Sequence, residues 1–344
     1  MAKSYTNSIG IDIGTHSIKG VALQRRGPDK AIVYKFSFRT FGGKLENSDE
    51  LVHHLKLLIA ELGGPVKAIG VATSSPDAFL KIIDQYPTPP DLLRRGLLIN
   101  GLAMLNQDIS EMVVDCDQIL KIDTATIDPK AQIKYLVCGI PRSRVSMLDE
   151  SFRKMRLKVS LLQLAPIALL NAFAYCKPET FENETFMLVD MGHSQSTVMV
   201  GSRKELLLVR SVEFGGKILL EALTSGGGIE AESAMLLFNQ SDAGMIEIAH
   251  QELVAIAREL RSSIGFVEGQ REEVVNKIYI SGGLAKSEQV LQLLSDETNI
   301  PFELWDPFEN VETAISKNRV EAFDLEMGNL TIAYGAALEA MFPE

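Results

Sequence analysis

The sequence predicts a two-lobed α/β protein whose core is built twice from one strand-and-turn unit. Its 344 residues exceed the length at which a single hydrophobic core usually suffices. An apolar strand that runs into an acid, a glycine and small hydroxyl residues occurs at residues 9–17 and again at 188–194. A third strand, at 277–283, runs into paired glycines and is followed by apolar residues at helical spacing.

The first lobe opens with a strand over 8–13 and a hairpin whose turn, at 25–30, contains glycine and proline. Apolar residues at helical spacing predict a helix over 49–62, which Gly63, Gly64 and Pro65 end. The next predicted strand covers 66–73. These elements form one half of the duplicated core.

The next segment begins with a proline-rich connector and does not continue the core pattern. Three prolines between Tyr86 and Asp91 stiffen an extended connector. It leads into a predicted helix over 92–106, and strands are predicted near 112–115 and 135–140. The leucines of this helix allow two interpretations: they fill the core of a small subdomain, or they line a groove shared with the first lobe. They are Leu92, Leu93, Leu97, Leu98 and Leu102.

The chain then returns to the first lobe and enters the second. Residues 159–174 are interrupted by polar side chains and predict a strand, then a helix that Pro166 opens. The second lobe begins at the strand of Phe186. Further strands are predicted over 197–200 and 206–212, with helices over 218–223, from Ile229 and over 246–266, and a closing helix from Asn329.

Composition limits the possible functions. The formal net charge of −11 argues against nucleic acid as a partner and against direct binding to an anionic membrane surface. Cys116, Cys138 and Cys176 lack the spacing of a metal or redox motif, so we expect buried thiols in a reducing compartment. The polar first residues and the lack of a sufficiently long apolar run predict a cytoplasmic protein without its own membrane anchor.

The two acidic turns predict a phosphate site. A glycine after a strand can adopt positive φ and turn the backbone sharply, so that N–H groups point outward and cradle phosphate oxygens. Asp12 and Asp190 are expected to hold a hydrated Mg²⁺ between the turns, because a hard cation prefers carboxylate and phosphate oxygens. The remaining donors predicted in the turns are Gly14, Thr15 and Ser17 on one side and Gly192, His193 and Ser194 on the other. A neutral loop imidazole without a role is an equal alternative for His193.

Two further glycine pairs are candidates. Gly282 and Gly283 lack a Cβ, so a flat base can lie against their backbone. Gly215 and Gly216 precede the helix over 218–223, whose first amides could reach a ribose or a phosphate. A tight turn without a ligand is an equally good interpretation of the second pair.

The order of these pieces resembles the superfamily of actin and the sugar kinases. The matching pieces are a first phosphate loop at 12–19, a second at 190–197, an adenosine loop at 281–286 and the closing helix. Within the superfamily the chain is most similar to the PilM family of type IV pilus assembly proteins, and next to the cell-division protein FtsA. The stretches that carry this resemblance lie at 212–216, 256–266, 280–286 and 300–308.

The resemblance implies an actin-like, ribonuclease H-like α/β fold with two lobes, a duplicated core and an inserted subdomain. Subdomain 1A would comprise residues 1–74 and 148–185, interrupted by a 1C-type subdomain at 75–147. The second lobe would span 186–328 and include a 2B insert at about 217–272. Residues 329–344 would form the closing helix and pack on the first lobe.

The resemblance also assigns roles to single residues. Lys19 stands where actin-like proteins keep a phosphate-binding lysine, although a surface lysine is the default for a hairpin. Glu232 matches an acid that contacts the ribose, but Met235 or one of its neighbours, Ala234 and Leu236, stands where the family has a lysine. Gln163 occupies the segment that supplies the water-orienting residue in relatives. The adenosine loop contributes Ser281, Gly282, Gly283 and Lys286.

The function implied is an ATP- and Mg²⁺-binding scaffold with slow or no turnover. Relatives of the PilM family capture a short N-terminal peptide of PilN, a membrane-anchored partner, in a groove of the inserted subdomain. The protein would therefore be held at the inner membrane by a PilN-like protein, with other platform proteins or motor ATPases as further partners.

Two alternatives remain at this point. An FtsA-like filament would bind the membrane itself, but the amphipathic tail of such relatives has no counterpart after residue 340. A small-molecule kinase would need a catalytic aspartate near Ala165 to deprotonate an acceptor hydroxyl, and the sequence has none there.

Overall fold

The computed structural model describes residues 5–28, 30–41, 45, 47–124, 126–225, 229–271 and 273–343. Two five-stranded sheets form the body of this part of the chain, and a three-stranded sheet is attached to them. Helices cover the outer faces of the large sheets and also fill the space between them. The fold is a mixed α/β architecture, as the sequence predicts.

The first sheet has the strand order β3-β2-β1-β4-β8. Its first three strands form an antiparallel meander, and β4 and β8 add to β1 in parallel. The carboxyl ends of β1, β4 and β8 therefore meet at one edge of the sheet. The strands are β1 Asn7–Ile13, β2 Ser17–Arg25, β3 Ala31–Thr40, β4 Ala68–Thr73 and β8 Leu161–Leu164.

The second sheet repeats this topology with the order β11-β10-β9-β12-β13. A meander again comes first, and two parallel strands follow on the other side of its first strand. The duplication predicted from two short motifs thus extends to whole sheets. The strands are β9 Thr185–Met191, β10 Ser196–Ser202, β11 Glu205–Val212, β12 Ile278–Gly282 and β13 Phe302–Leu304.

The inserted segment forms its own sheet, in the order β5-β7-β6, and one helix. Leu93 and Leu97 fill its core together with Tyr135 and Val137. The other three leucines of the set, Leu92, Leu98 and Leu102, are exposed, and a groove lined by them remains a prediction. The elements are β5 Phe79–Gln85, α2 Pro90–Leu105, β6 Met112–Gln118 and β7 Ile133–Pro141.

The outer helices cover one face of each large sheet. On the first sheet, α1 and α3 pack over Ile9, Ile11 and Ile13. On the second sheet, four helices pack over Met187, Val189 and neighbouring apolar residues. These outer helices are α1 Ser48–Glu61, α3 Arg142–Lys154, α6 Gly216–Ser225, α7 Ala231–Asn239, α8 Ala243–Arg271 and α9 Glu288–Thr298.

Three helices lie on the inner side: α4 Ala165–Cys176, the short α5 Pro178–Asn183, and α10 Val320–Met341. Aromatic residues from both halves pack here, with Phe173 at 4.7 Å from Phe186 and 5.2 Å from Trp305 between ring centroids. Both large sheets therefore contribute to one continuous core.

The closing helix α10 begins at Val320 rather than at Asn329. It lies directly against the first sheet, because a Cβ on Gly10 would stand 1.9 Å from the carbonyl oxygen of Ala333, and one on Gly70 would stand 2.0 Å from that of Ala336. Glycine is required at both positions by this close approach. The predicted subdomain boundaries at 147 and 328 fall inside α3 and α10 and remain predictions.

Other sequence expectations concern single features. Within the described ranges, no helix is long and apolar enough to cross a membrane. Cys116 is buried, whereas Cys138 and Cys176 are half-buried, and all three are free thiols. Burial raises the pKa of Cys116 and Cys138 to about 11 and that of Cys176 to about 12, so these thiols are poor nucleophiles at neutral pH.

Candidate functional site

The two predicted phosphate loops are matching hairpin turns. The N–H of Gly14 donates to the Ser17 carbonyl at 3.0 Å, and the N–H of Gly192 donates to the Gln195 carbonyl at 3.2 Å. The expected positive φ is wrong at both glycines. Space is the reason for glycine instead, because a Cβ on Gly192 would lie 2.8 Å from the Gln195 oxygen.

The two turns contact each other across the lobes. The hydroxyl oxygens of Thr15 and Ser194 lie 2.9 Å apart, within hydrogen-bond distance. The rings of His16 and His193 stack with centroids 3.9 Å apart. The structure therefore brings the loops together, as the sequence predicts.

Lys19 lies inside the site and not on the surface. Its Nζ donates to Asp12 Oδ2 at 3.0 Å, and the two residues face each other across the β1–β2 ladder. Burial by itself lowers the pKa of Lys19, but Asp12 outweighs this, and Asp190 and Glu326 add to the attraction, so the pKa is raised. The lysine is thus a fixed positive charge beside the acids of both turns.

Asp190 has weaker compensation than Asp12. Ser281 donates its hydroxyl to Asp190 Oδ1 at 2.8 Å, and Lys19 attracts the carboxylate from a distance. Burial nevertheless raises the pKa of Asp190, and the charge of Asp12 raises it further. An additional cation between the turns would relieve this penalty.

Two buried polar atoms at the carboxyl edge of the first sheet have no hydrogen-bond partner among the residues that the structure describes: Asp12 Oδ1 and Gln163 Nε2. Both residues flank Ala72 of β4 in neighbouring strands, so their side chains lie on the same face of the sheet. Asp12 is 1% exposed and Gln163 is 9% exposed. An orphaned acceptor and an orphaned donor here require a ligand or a water to satisfy them.

The predicted adenosine loop lies beside Asp190. Ser281 is directly opposite Asp190 in the β12–β9 ladder. Gly282 has φ +93°, and a Cβ there would stand 2.4 Å from the Met191 carbonyl oxygen, so this position requires glycine. A short 3₁₀ turn, Gly283–Lys286, follows, and Lys286 pairs with Glu326 of α10 at 3.0 Å.

Gly215 and Gly216 support the second turn. The N–H of Gly216 donates to the Gly192 carbonyl at 2.9 Å, and that of Lys217 donates to the His193 carbonyl at 2.8 Å. These first helix amides already have partners, which argues against the expectation that they reach a ribose or a phosphate. Direct ligand contacts of both glycines remain predictions.

Of the two remaining predicted residues, Glu232 is peripheral and Ser17 belongs to the first turn. Glu232 is exposed in the first turn of α7, and no contact in the described part of the chain joins it to the turns. Ser17 is buried at the start of β2, where its carbonyl closes the first turn. Among the described residues, no group of three or more histidine, cysteine, aspartate or glutamate side chains could bind a metal on its own.

Sequence reasoning missed two residues at the site, His16 and Glu326. His16 belongs to the first motif but does not occupy the position that His193 has in the second, so the repeat gave no signal for a stacked pair. Glu326 lies in the part of α10 that was not predicted to be helical. Its Oε2 also accepts from the Asn329 amide at 2.6 Å.

Comparison with known proteins agrees with this architecture. The family model described as "Type IV pilus assembly protein PilM" matches residues 10–341. The solved structure of a PilM-PilN type IV pilus biogenesis complex is similar at TM-score 0.83 and 20% identity, over 99% of this chain and 100% of that one. The ethanolamine utilization protein EutJ from Carboxydothermus hydrogenoformans is similar at TM-score 0.55 and 13% identity, over 98% of this chain and 90% of that one.

Duplicated sheets and facing acidic turns define an actin-like α/β protein. More specifically, the chain belongs to the type IV pilus assembly protein PilM family.

Proposed function

We propose that the protein is an ATP-binding scaffold of a type IV pilus assembly platform. In this role it binds the N-terminal peptide of a PilN-like membrane protein on the cytoplasmic side of the inner membrane. Family membership supports the pilus role, and the similarity to a PilM-PilN complex supports the partner. The observation that carries nucleotide binding is the meeting of two acidic turns at Thr15 and Ser194.

The residues of the site fit a nucleotide and Mg²⁺. Asp12 Oδ1 is a buried acceptor without a partner, and Asp190 is a carboxylate whose charge is incompletely compensated. Both would bind the hydration shell of the ion, with Lys19 on the phosphates. When bound, Mg²⁺ would neutralise phosphate charge.

Hydrolysis depends on whether a water can be oriented. Gln163 offers an unpartnered amide nitrogen at the same sheet edge as Asp12, and an amide can orient water but is a poor base. Slow turnover or none is therefore the behaviour that this side chain supports.

Helix α10 offers a route for coupling nucleotide to partner. Glu326 in its first half pairs with Lys286 of the adenosine loop, whereas its second half lies against Gly10 and Gly70 of the first sheet. A nucleotide that pulls the adenosine loop toward the phosphates would therefore move α10 relative to one sheet. Gating requires that the partner binds these two states with different affinity.

The groove proposed for the partner peptide lies where the insert leaves the first lobe. A cavity of about 240 Å³ is lined there by Phe79 and Leu80 of β5, by Leu164 and Pro166 of the first lobe, and by Val209 of β11. Both β5 and β11 are edge strands, so an extended peptide has free backbone groups to pair with.

The nucleotide half is tested by titrating a fluorescent ATP analogue with and without Mg²⁺ into wild type and Asp190→Asn. We expect Mg²⁺-dependent binding that weakens at least about tenfold in the variant, the scale of one lost charged contact. Glu247→Gln, at an exposed position of α8 with no predicted role in the site, provides the control. Equal affinity of wild type and Asp190→Asn would refute the site.

The partner half is tested by fluorescence polarisation with the labelled N-terminal peptide of the PilN-like protein of the same pilus system. Leu80→Glu places a charge in the groove and should abolish binding. Leu98→Glu places one on the exposed face of α2, where Leu98 is 58% exposed, and should not. Repeating the measurement with saturating ATP tests gating, and an unchanged peptide affinity would remove that part of the proposal.

A further inference from the structure

A second cleft, of about 900 Å³, opens beside the two turns. The first turn, the connector between β4 and β5, and the beginnings of α1 and α3 form its walls, together with His193 and Ser194 of the second turn. Among its described lining residues there is none from the adenosine loop at 281–286. The cleft is large enough for a small metabolite. It shares Gly14, Thr15, His193 and Ser194 with the proposed phosphate loops, whereas its lining residues of α3 belong to neither the proposed nucleotide site nor the proposed peptide groove.

Arg144 is the distinctive residue of this cleft. It lies in the first turn of α3, is partly withdrawn from solvent, and donates only to Thr73 Oγ1, at 3.1 and 3.4 Å, among the described contacts. Burial lowers the pKa of its guanidinium, and no carboxylate in the described part of the chain offsets this effect. A guanidinium has five N–H donors, so most of the donors of Arg144 remain available to a ligand.

The acids near the cleft do not neutralise Arg144. Glu150 is exposed and pairs with Lys154 at 2.9 Å. Asp77 is exposed on the connector. Besides these two acids, the cleft is lined by the hydroxyl groups of Ser74, Ser75, Ser143 and Ser146, by the rings of His16 and His193, and by Lys217.

The first turn of α3 adds to the positive potential. Pro141 precedes this helix, its N-terminus has no side-chain cap, and no acidic residue lies in the first turn. The N–H of Arg142 donates to the Glu111 carbonyl at 2.9 Å, so the dipole of this end acts through the following residues, Ser143 and Arg144, which both line the cleft. A fork of guanidinium donors with hydroxyl groups around it is the donor set that recognises phosphate.

We propose that this cleft binds the phosphate group of a small molecule at a position centred on Arg144, beside the proposed nucleotide site, with which the cleft shares residues of both turns. Two sources would supply the same chemistry: a free phosphorylated metabolite, or phosphate released from a nucleotide in the adjacent turns. The proposal does not require that the turns bind ATP.

Isothermal titration of inorganic phosphate tests the site, at constant ionic strength maintained with chloride. The titration is carried out with and without a saturating non-hydrolysable ATP analogue. Wild type should bind one phosphate in both conditions. Arg144→Gln should weaken binding at least about tenfold, and Arg144→Lys, which keeps the charge but loses the fork, should lie between them. Arg153→Gln, on the exposed side of the same helix, is the matched control.

The outcomes separate this proposal from the nucleotide proposal. Asp190→Asn should keep phosphate binding even where it loses the ATP analogue. If saturating analogue or Asp190→Asn abolishes phosphate binding, the anion occupies the nucleotide site and the proposal fails. It also fails if wild type binds no phosphate, or if Arg153→Gln weakens binding as much as Arg144→Gln. Thermal unfolding of both Arg144 variants shows whether they are folded.

Discussion

The two hairpins of the site have the same backbone but neutralise their acids differently. In the first hairpin Asp12 faces Lys19 across the ladder, and the two form an ion pair at 3.0 Å. In the second hairpin the position opposite Asp190 is Thr197. The charge of Asp190 is met instead by a neutral hydroxyl from Ser281 and by the distant Lys19.

This difference shows that the duplication preserved the turn and varied one cross-strand position. That position decides whether a buried carboxylate carries its own counter-ion. The first hairpin neutralises the charge of its acid with its own lysine, although Asp12 Oδ1 has no hydrogen-bond partner among the described residues, whereas the second hairpin leaves the charge of Asp190 incompletely compensated. We infer that the second acid is the one whose ionisation depends most on a bound cation.

Removal of Asp12 should have the largest effect. Asp12→Ala leaves the Lys19 ammonium in a largely buried place without its carboxylate, which typically costs about 3–5 kcal/mol. Chemical denaturation measures this loss of stability. The double variant Asp12→Ala/Lys19→Met removes both charges and should recover part of it. A double variant that is less stable than Asp12→Ala would contradict the ion-pair argument.

Asp190→Asn should act in the opposite direction on stability. Because burial raises the pKa of Asp190, its ionisation opposes folding, and the neutral amide should stabilise the protein by about 1 kcal/mol at pH 7. Because the pKa of Asp190 is raised in the folded state, the protein loses stability as the pH rises through that pKa. The advantage of the variant should therefore shrink on acidification toward pH 4. A variant that is less stable than wild type at pH 7 would show that the carboxylate is already compensated.

Thr197→Lys should convert the second hairpin into a copy of the first. The new ammonium would stand opposite Asp190 and lower its pKa, so the proposed binding of nucleotide should depend less on Mg²⁺. The ratio of ATP-analogue affinities with and without Mg²⁺ measures this dependence. Thr197→Met, which has similar bulk without charge, is the control. If both variants reduce the ratio equally, the effect comes from bulk and not from charge.

The sequence predicts the hairpins well because their signal is local. An acid, a glycine and hydroxyl residues at a strand end determine a turn within a few residues, and this pattern occurs twice. The ion pair of Asp12 and Lys19 is less visible, since it depends on the register that the turn sets. Once Gly14 bonds to Ser17, the ladder places Lys19 opposite Asp12.

Features that depend on distant partners were not predictable. Strand β5 has no clear alternation, since nearly all its side chains are half-buried, and it forms only by pairing with β7 far along the chain. The early start of α10 and the exposure of Arg144 to a cleft likewise depend on tertiary packing. The expectation of positive φ at the turn glycines was wrong, because the close approach of a carbonyl oxygen, and not φ, disfavours a Cβ there.

The contact between the hairpins gives the smallest effect and a test of how they are joined. Burial lowers the pKa of His193, and the charges of His16 and Lys217 lower it further, while Glu221 opposes them. Because the folded pKa lies below the ordinary value, stability is complete above about pH 6.5 and is lost as pH falls through the folded pKa.

His193→Gln should flatten this acid dependence, by under about 1 kcal/mol, in thermal or urea unfolding between pH 8 and 5. Gln251→Ala, at an exposed position of α8, should keep the wild-type profile. An unchanged profile in His193→Gln would mean that the stacked rings do not oppose protonation and that the Thr15–Ser194 contact joins the turns without them.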